Sequence, residues 1–416
     1  MPGQRPVLTR ATAGRLAADH GFSMRPGSPA GCTGLELEWL VVPLDDPDRG
    51  VPFPDVEAAL ADIVLPASSR ITFEPGGQIE LSTPPLPGLE ACEALATDAA
   101  ELGAALAANG VGLVALGLEP GARRPRVVRT PRYDAMEAHF DSRGPAGRTM
   151  MRSTAALQVN TGLRDAPAAR WEASHALGPV LAAAFANSPF GDARPSGWRS
   201  TRLAVWGSIE GARGPTVAPG SDCRVAWATY ALSAPLMLVR ASESEHVPMR
   251  ARLSFGEWIA RGHDLGWPTA DDLAYHLTTL FPPVRPRGWL ELRMIDALPS
   301  PWWRVAAAVT TVLVDAWSEE PALSRCVAPI RDRWDCAARD GLSDPKLAAA
   351  ATTCFDIARA QLIDAGADQE TLAATDAYVD RYVARRRCPA DDLIDRWHQC
   401  GALVPLPDNQ PEPAWA

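Results

Sequence analysis

The chain has 416 residues, 47% of them hydrophobic and 22% charged, so it can bury a sizeable core and lies far from the composition of disordered proteins. Forty basic against fifty acidic residues give a formal charge of −10, which excludes a global basic field for nucleic acid or an anionic membrane. Of the basic residues only Lys346 is a lysine, so a P-loop lysine motif and a kinase-type strand lysine are both absent, and any phosphate chemistry must rest on arginine and metal ions.

The first predicted strand is Leu35 to Val42, and Ile71–Phe73 and Gln78–Ser82 read as a hairpin around Pro75-Gly76-Gly77. Leu89 to Asn109 has helical spacing and stops at Gly110, where a helix-ending glycine belongs. Gly112–Leu118 follows as a strand, Glu119–Arg132 as a basic, proline-punctuated loop, and Tyr133–Phe140 as a short helix. Thr154–Thr161 reads as a strand, Ala168–Ala186 as a helix, and Thr201–Ser208 and Leu290–Met294 as strands. From Trp303 the pattern is almost wholly helical until a proline-rich tail after Gly401.

Strands grouped early and helices late predict an α+β fold. The organisation expected is one catalytic unit over 1–416: a sheet-rich part at 30–300, a helical part at 301–400 and a tail at 401–416. The eight cysteines form no C-x-x-C pair, in keeping with free thiols of a reducing compartment. The N-terminus has no apolar export core, and the longest apolar stretch, Val305–Val314, is about half of the ~20 residues a span needs. A cytoplasmic location, without membrane, nucleic acid or an obligate protein partner, is the expectation.

In a strand, residues two apart share a face. Glu36 and Glu38 therefore point together, with Leu35, Leu37 and Trp39 opposite, and the same holds for Glu80 with Ser82, Gln158 with Asn160, and Glu291 with Arg293. Each strand alone could be ordinary and half-exposed, but glutamate is depleted in strands, and its recurrence on polar faces suggests a concave surface gathering carboxylates around divalent cations.

Five stretches then carry a resemblance: FEPGGQIELSTPP at Phe73–Pro85, YDAMEAHF at Tyr133–Phe140, GRTMMRSTAALQVNTG at Gly147–Gly162, NSPFGDARPSGWRSTRLAVW at Asn187–Trp206 and HLTTLFPPVRPRGWLELRMID at His276–Asp296. In this order they resemble the glutamate–cysteine ligases of the plant and bacterial type, and within them the actinobacterial branch that starts ergothioneine synthesis. The resemblance covers about two thirds of the chain, from about 35 to 315. It implies a curved, mainly antiparallel sheet forming a funnel with flanking helices, akin to glutamine synthetase and the guanidino kinases. It also implies an ATP-dependent ligase that phosphorylates the γ-carboxylate of L-glutamate and couples it to the amine of L-cysteine, with two or more Mg²⁺ ions.

By resemblance, Glu36, Glu38, Glu80 and Glu291 match the family's magnesium ligands, and Gln158 matches a position filled elsewhere by a metal-binding histidine. Arg293, with Glu291, resembles the catalytic pair at the transferred phosphate, and Ser82 lies on the nucleotide-binding face. Arg202, Asn160 and Trp206 fall on substrate positions. Arg152 stands where a small or aromatic residue is expected, and either adds a charge to the substrate pocket or points away. The motifs do not name cysteine as the acceptor, so another amine, or a non-catalytic sensor of glutamate or nucleotide, stays open.

Overall fold

The computed structural model describes residues 8–23, 31–46, 49–121, 124–209, 222–242, 244–405 and 407–408. Among the described residues, twelve strands run in chain order. They are β1 (Cys32–Pro43), β2 (Arg70–Phe73), β3 (Ile79–Ser82), β4 (Leu86–Pro87), β5 (Val111–Val114), β6 (Ala156–Gly162), β7 (Phe190–Gly191), β8 (Arg194–Pro195), β9 (Leu238–Arg240), β10 (His246–Pro248), β11 (Val284–Pro286) and β12 (Trp289–Asp296). Eight of them form one sheet in the order β11-β12-β6-β1-β3-β2, with β4 and β5 also paired to β1, and every pairing is antiparallel. The mixed helix-and-sheet class read from the sequence is the class observed.

Register decides what shares a face. Glu38 lies opposite Glu80, Glu36 opposite both Ser82 and Gln158, and Glu291 opposite Asn160. The other face of the same strands carries Leu35, Leu37, Ile79, Leu81, Leu157, Val159, Leu290 and Leu292, all completely buried. Each such side chain contributes about 1.5–3 kcal/mol relative to exposure, so a one-residue slip of β1 would move its glutamates into the core.

That apolar face is covered by helix Pro167–Ala184 and helix Trp302–Ala316, which pack on each other and on the sheet. The second is the segment with the long apolar run, and it is buried on nearly all sides, as an all-round hydrophobic helix in a globular core must be. No helix among the described residues is long and apolar enough to cross a membrane. A smaller cluster, including Met136, Phe140, Met150 and Met151, sits under the opposite, polar side of the sheet.

Between Leu292 and Ile295 the register of β12 against β6 shifts: Leu292 faces Val159 while Ile295 faces Leu157. Three steps along β12 thus match two along β6, the mark of a β-bulge. Arg293 and Asp296, which an unbroken strand would send to opposite faces, both emerge on the polar side.

One expected strand is a helix. Thr201–Gly207 is helical, capped by the Ser200 side chain, which accepts from the Leu203 amide at 3.2 Å. Residues four apart share a face in both a strand and a helix, so Arg202 and Trp206 still point the same way. Of the expected proline-rich tail, residues 406 and 409–416 lie outside the described residues, whereas Asp408 docks its amide on the Leu113 carbonyl at 2.7 Å.

Candidate active site

The turn that follows β2 places a glutamate the motif reading passed over. Gly77 holds φ +87°, a conformation that favours glycine, and a Cβ on Gly76 would come within 2.0 Å of the Arg152 carbonyl oxygen. The turn is therefore pressed onto the end of helix Ala146–Ser153, and the Gln78 amide donates to the Thr154 carbonyl at 2.8 Å. Glu74, two residues beyond Thr72, shares the face on which Thr72 lies opposite Glu80.

Glu38, Glu74 and Glu80 each bring a carboxylate oxygen to within 4.8 Å of the others. Oxygens in an octahedral Mg²⁺ shell, each about 2.1 Å from the ion, lie up to about 4.2 Å apart, so the three fit one hard cation with small adjustment. Their neighbours orient them. Glu80 accepts from the Thr72 hydroxyl at 2.7 Å and the Ser82 hydroxyl at 3.0 Å, and Glu38 accepts from the Ala156 amide at 2.9 Å and the Gln158 amide at 3.1 Å. Glu36 accepts from Asn160 at 2.9 Å, and Asn160 in turn accepts from the Trp289 indole at 3.1 Å.

Electrostatics mark these carboxylates as unfinished. Burial, then the neighbouring Glu291 and Glu80, push Glu36 up to about 7. Burial, with Glu80 adding to it, does the same for Glu74, and burial with Glu74 and Glu80 drives Glu38 well above the carboxylate range. Arg293 offsets only part of this, as expected for buried acids crowded against one another.

Glu291 is the opposite case. Burial would raise it, but Arg285 and Arg293 outweigh that and hold it at about 2. Arg285 grips it with two N–H groups, one at 2.9 Å, while Arg293 stands 3.2 Å and Arg287 3.6 Å away. Arg285 and Arg287 were not singled out in the sequence, although Arg285 lies directly across the β11–β12 hairpin from Glu291.

Gln158 links the two sets, since its amide donates to Glu38 and its oxygen accepts from Arg293. With both ends engaged it acts here as a connector between carboxylate and guanidinium. Arg202 is only 2% exposed, donates to the Arg293 carbonyl at 2.7 Å and stands 3.5 Å from Asp296. Asp296 is itself fixed by the Ser188 and Ser200 hydroxyls at 2.7 and 2.9 Å. Trp206 presents its ring to the Arg293 guanidinium, 5.6 Å from the ring centre.

These groups line a basin of about 320 Å³ whose wall includes five glutamates and six arginines. A second cavity of about 530 Å³, more apolar and walled in part by Trp198, Phe281 and Trp334, meets it at Arg202, Trp206 and Arg293. Arg152 does not line the basin: its guanidinium pairs with Glu137, in keeping with the second of the two alternatives left open for it, that it points away. Ser82 and Asn160 act through Glu80 and Glu36 and are not part of the basin wall.

A mainly antiparallel sheet carrying a cation-sized carboxylate cluster beside a fixed guanidinium array defines an α+β protein equipped for polyanion and metal chemistry. The chain belongs to glutamate-cysteine ligase family 2 (GCS2), whose family model matches residues 32–409. It is 42% identical over 401 residues to the glutamate–cysteine ligase EgtA of Mycolicibacterium smegmatis, covering 94% of this chain and 93% of that one. The chloroplastic glutamate–cysteine ligase of Medicago truncatula is 30% identical over 283 residues, covering 65% of this chain and 54% of the plant protein.

Among solved structures, the glutamate–cysteine ligase of Francisella tularensis in complex with AMP superimposes with a TM-score of 0.56 at 13% identity, covering 91% of this chain and 86% of that one. A bifunctional glutathione synthetase from Pasteurella multocida gives 0.53 at 16% identity, covering 94% of this chain and 51% of its own. At these identities the two structures speak for the fold.

Proposed function

We propose that this protein is an ATP-dependent glutamate–cysteine ligase of ergothioneine biosynthesis, joining the γ-carboxylate of L-glutamate to the amine of L-cysteine and forming ADP and phosphate. The observation that carries the reading is the division of one basin into a crowded carboxylate cluster, Glu38–Glu74–Glu80 with Glu36, and a guanidinium array anchored on Glu291. Phosphoryl transfer to a carboxylate needs both parts, because negative charge spreads over the phosphoryl oxygens while two anions are brought together.

In this reading Glu36, Glu38, Glu74 and Glu80 would hold Mg²⁺, which would supply positive charge against the phosphates of ATP. Glu291 stays ionised, keeping Arg293 extended beside the carboxylates, and Arg293 donates to the phosphoryl group in transit. A guanidinium suits this task because its donors form a fixed fork. Arg202 steadies the Arg293 backbone and, with Trp206, faces the substrate where the two cavities meet. Residues 1–416 act as one catalytic unit whose sheet curves around the basin as a funnel.

The direct test is mass spectrometry of purified protein with ATP, Mg²⁺ and L-glutamate, offering L-cysteine beside a panel of other amino acids and amines. A cysteine-dependent γ-glutamyl product with matching ADP release is expected. Product with another amine alone would replace the acceptor, and saturable binding of ATP or glutamate without turnover would replace the ligase by a sensor.

A further inference from the structure

All eight cysteines are free, yet two of them touch: Cys326 Sγ lies 3.8 Å from Cys354 Sγ. Cys326 sits on helix Pro321–Val327 and is half-buried, while Cys354, only 1% exposed, lies beneath it on the packed helix Pro345–Asp364. We propose that Cys326 and Cys354 are a reversible disulfide site, oxidised by low-molecular-weight disulfides, whose closure lowers substrate handling at the basin. A disulfide needs its sulfurs about 2 Å apart, so the thiols have only a short approach to make.

The chemistry divides between the two by position. The accessible Cys326 thiolate attacks one sulfur of the small disulfide, expels the first thiolate and forms a mixed disulfide. Cys354, losing its proton to solvent, then attacks Cys326 Sγ and releases the second thiol. Two protein thiols and one small disulfide become one protein disulfide and two small thiols, with two electrons passing to the small molecule. The hydrogen bond between the two thiols supports this order, since it lowers the pKa of Cys326 and raises that of Cys354.

The consequence for the basin follows from what lies between the two cysteines. Residues 327–353 contain helix Trp334–Asp340, whose Trp334 and Ala338 wall the 530 Å³ cavity. The Ala338 carbonyl accepts from the Ser200 amide at 2.8 Å and the Arg199 amide at 3.0 Å, and Ser200 caps the helix that carries Arg202. Trp334 has no slack on its other side, because a Cβ on Gly178 would come within 2.1 Å of its ring. Drawing Cys326 and Cys354 together therefore moves a segment tied at one end to the Arg202 helix and wedged at the other. The bond itself is independent of the ligase reading; its effect on turnover rests on that reading.

The experiment uses the full chain, reduced and then incubated with cystine, followed by peptide mapping without reduction and by turnover assays. The expected result is a Cys326–Cys354 linked peptide, a fall of about tenfold in kcat/KM for glutamate, as small displacements at a reacting centre can cause, and recovery with dithiothreitol. Cys326→Ser should have normal basal activity and resist cystine, and Cys354→Ala should accumulate the mixed disulfide at Cys326. A mixed disulfide on wild-type Cys326 that never closes, a closed bond with unchanged turnover, or equal cystine sensitivity in Cys326→Ser would each overturn the proposal. If the reduced protein does not ligate at all, the ligase reading fails, and the peptide map together with the glutamate-induced thermal shift before and after oxidation still decides this one.

Discussion

The two ends of the basin use the same side chain in opposite ways. On β1, β3 and the turn after β2, glutamates face other glutamates, and burial with mutual repulsion pushes Glu36 and Glu74 to about 7. On β12, Glu291 is more deeply buried still, but Arg285 and Arg293 hold it at about 2. One half of the site is an unpaid electrostatic debt and the other is settled within the protein. Burial alone therefore does not set the charge state of a glutamate here: what matters is which charges face it.

Removing a partner from either half should eliminate catalysis, and this is the largest effect expected. Arg293→Ala and Glu38→Gln should each lower kcat by about 10³-fold or more, as the loss of a group that stabilises charge in the transition state does. ADP release under saturating substrates measures it, and activity within tenfold of the unchanged protein would remove that residue from the mechanism.

Stability should then separate the halves. Glu291→Gln leaves Arg285 and Arg293 buried without their counter-charge and should cost about 3 kcal/mol or more, read as a lower urea midpoint. Glu38→Gln relieves repulsion and should raise the melting temperature of the metal-free protein. Shifts of the same sign in both variants would erase the contrast.

The pH dependence sharpens it further. Glu36 and Glu74 are raised from 4.5 to about 7, so their contribution to stability is fully present below pH 4.5 and is lost as pH rises through about 7. The metal-free protein should lose melting temperature across that window, and Mg²⁺ with ATP should flatten the curve by stabilising the ionised carboxylates. A profile unchanged by Mg²⁺ would count against a cation among these groups. The smallest effect belongs to Arg152→Ala: with its charge spent on Glu137, kcat/KM should stay within about threefold, as for most substitutions away from the chemistry.

Much of this was legible in the chain. Alternation exposed Glu36, Glu38, Glu80 and Glu291 as members of polar faces, and the family motifs brought those faces into one site. What escaped depended on pairing. Glu74 follows its strand at a Pro-Gly-Gly turn, and its direction is set by the contact of Gly76 with Arg152, 76 positions along the sequence. Arg285 meets Glu291 only once the hairpin register is known. The Thr201–Ser208 segment was misread because its β-branched and aromatic residues suit a strand, while the cap at Ser200 decides for a helix; its two site residues survived the error because four-residue spacing serves both.

The bulge in β12 bears on how this enzyme can be recombined. It lets one short run supply both Arg293, toward the basin, and Asp296, toward the serines and Arg202. Parity along the strand is thus part of the message: were the bulge straightened without loss of a residue, the three steps from Arg293 to Asp296 would turn Asp296 toward the leucine-rich side even though every named side chain remained. Chimeras with relatives should tolerate crossovers before Trp289 or after Asp296 and fail within that interval, and an alignment gap placed there would match letters while mismatching directions.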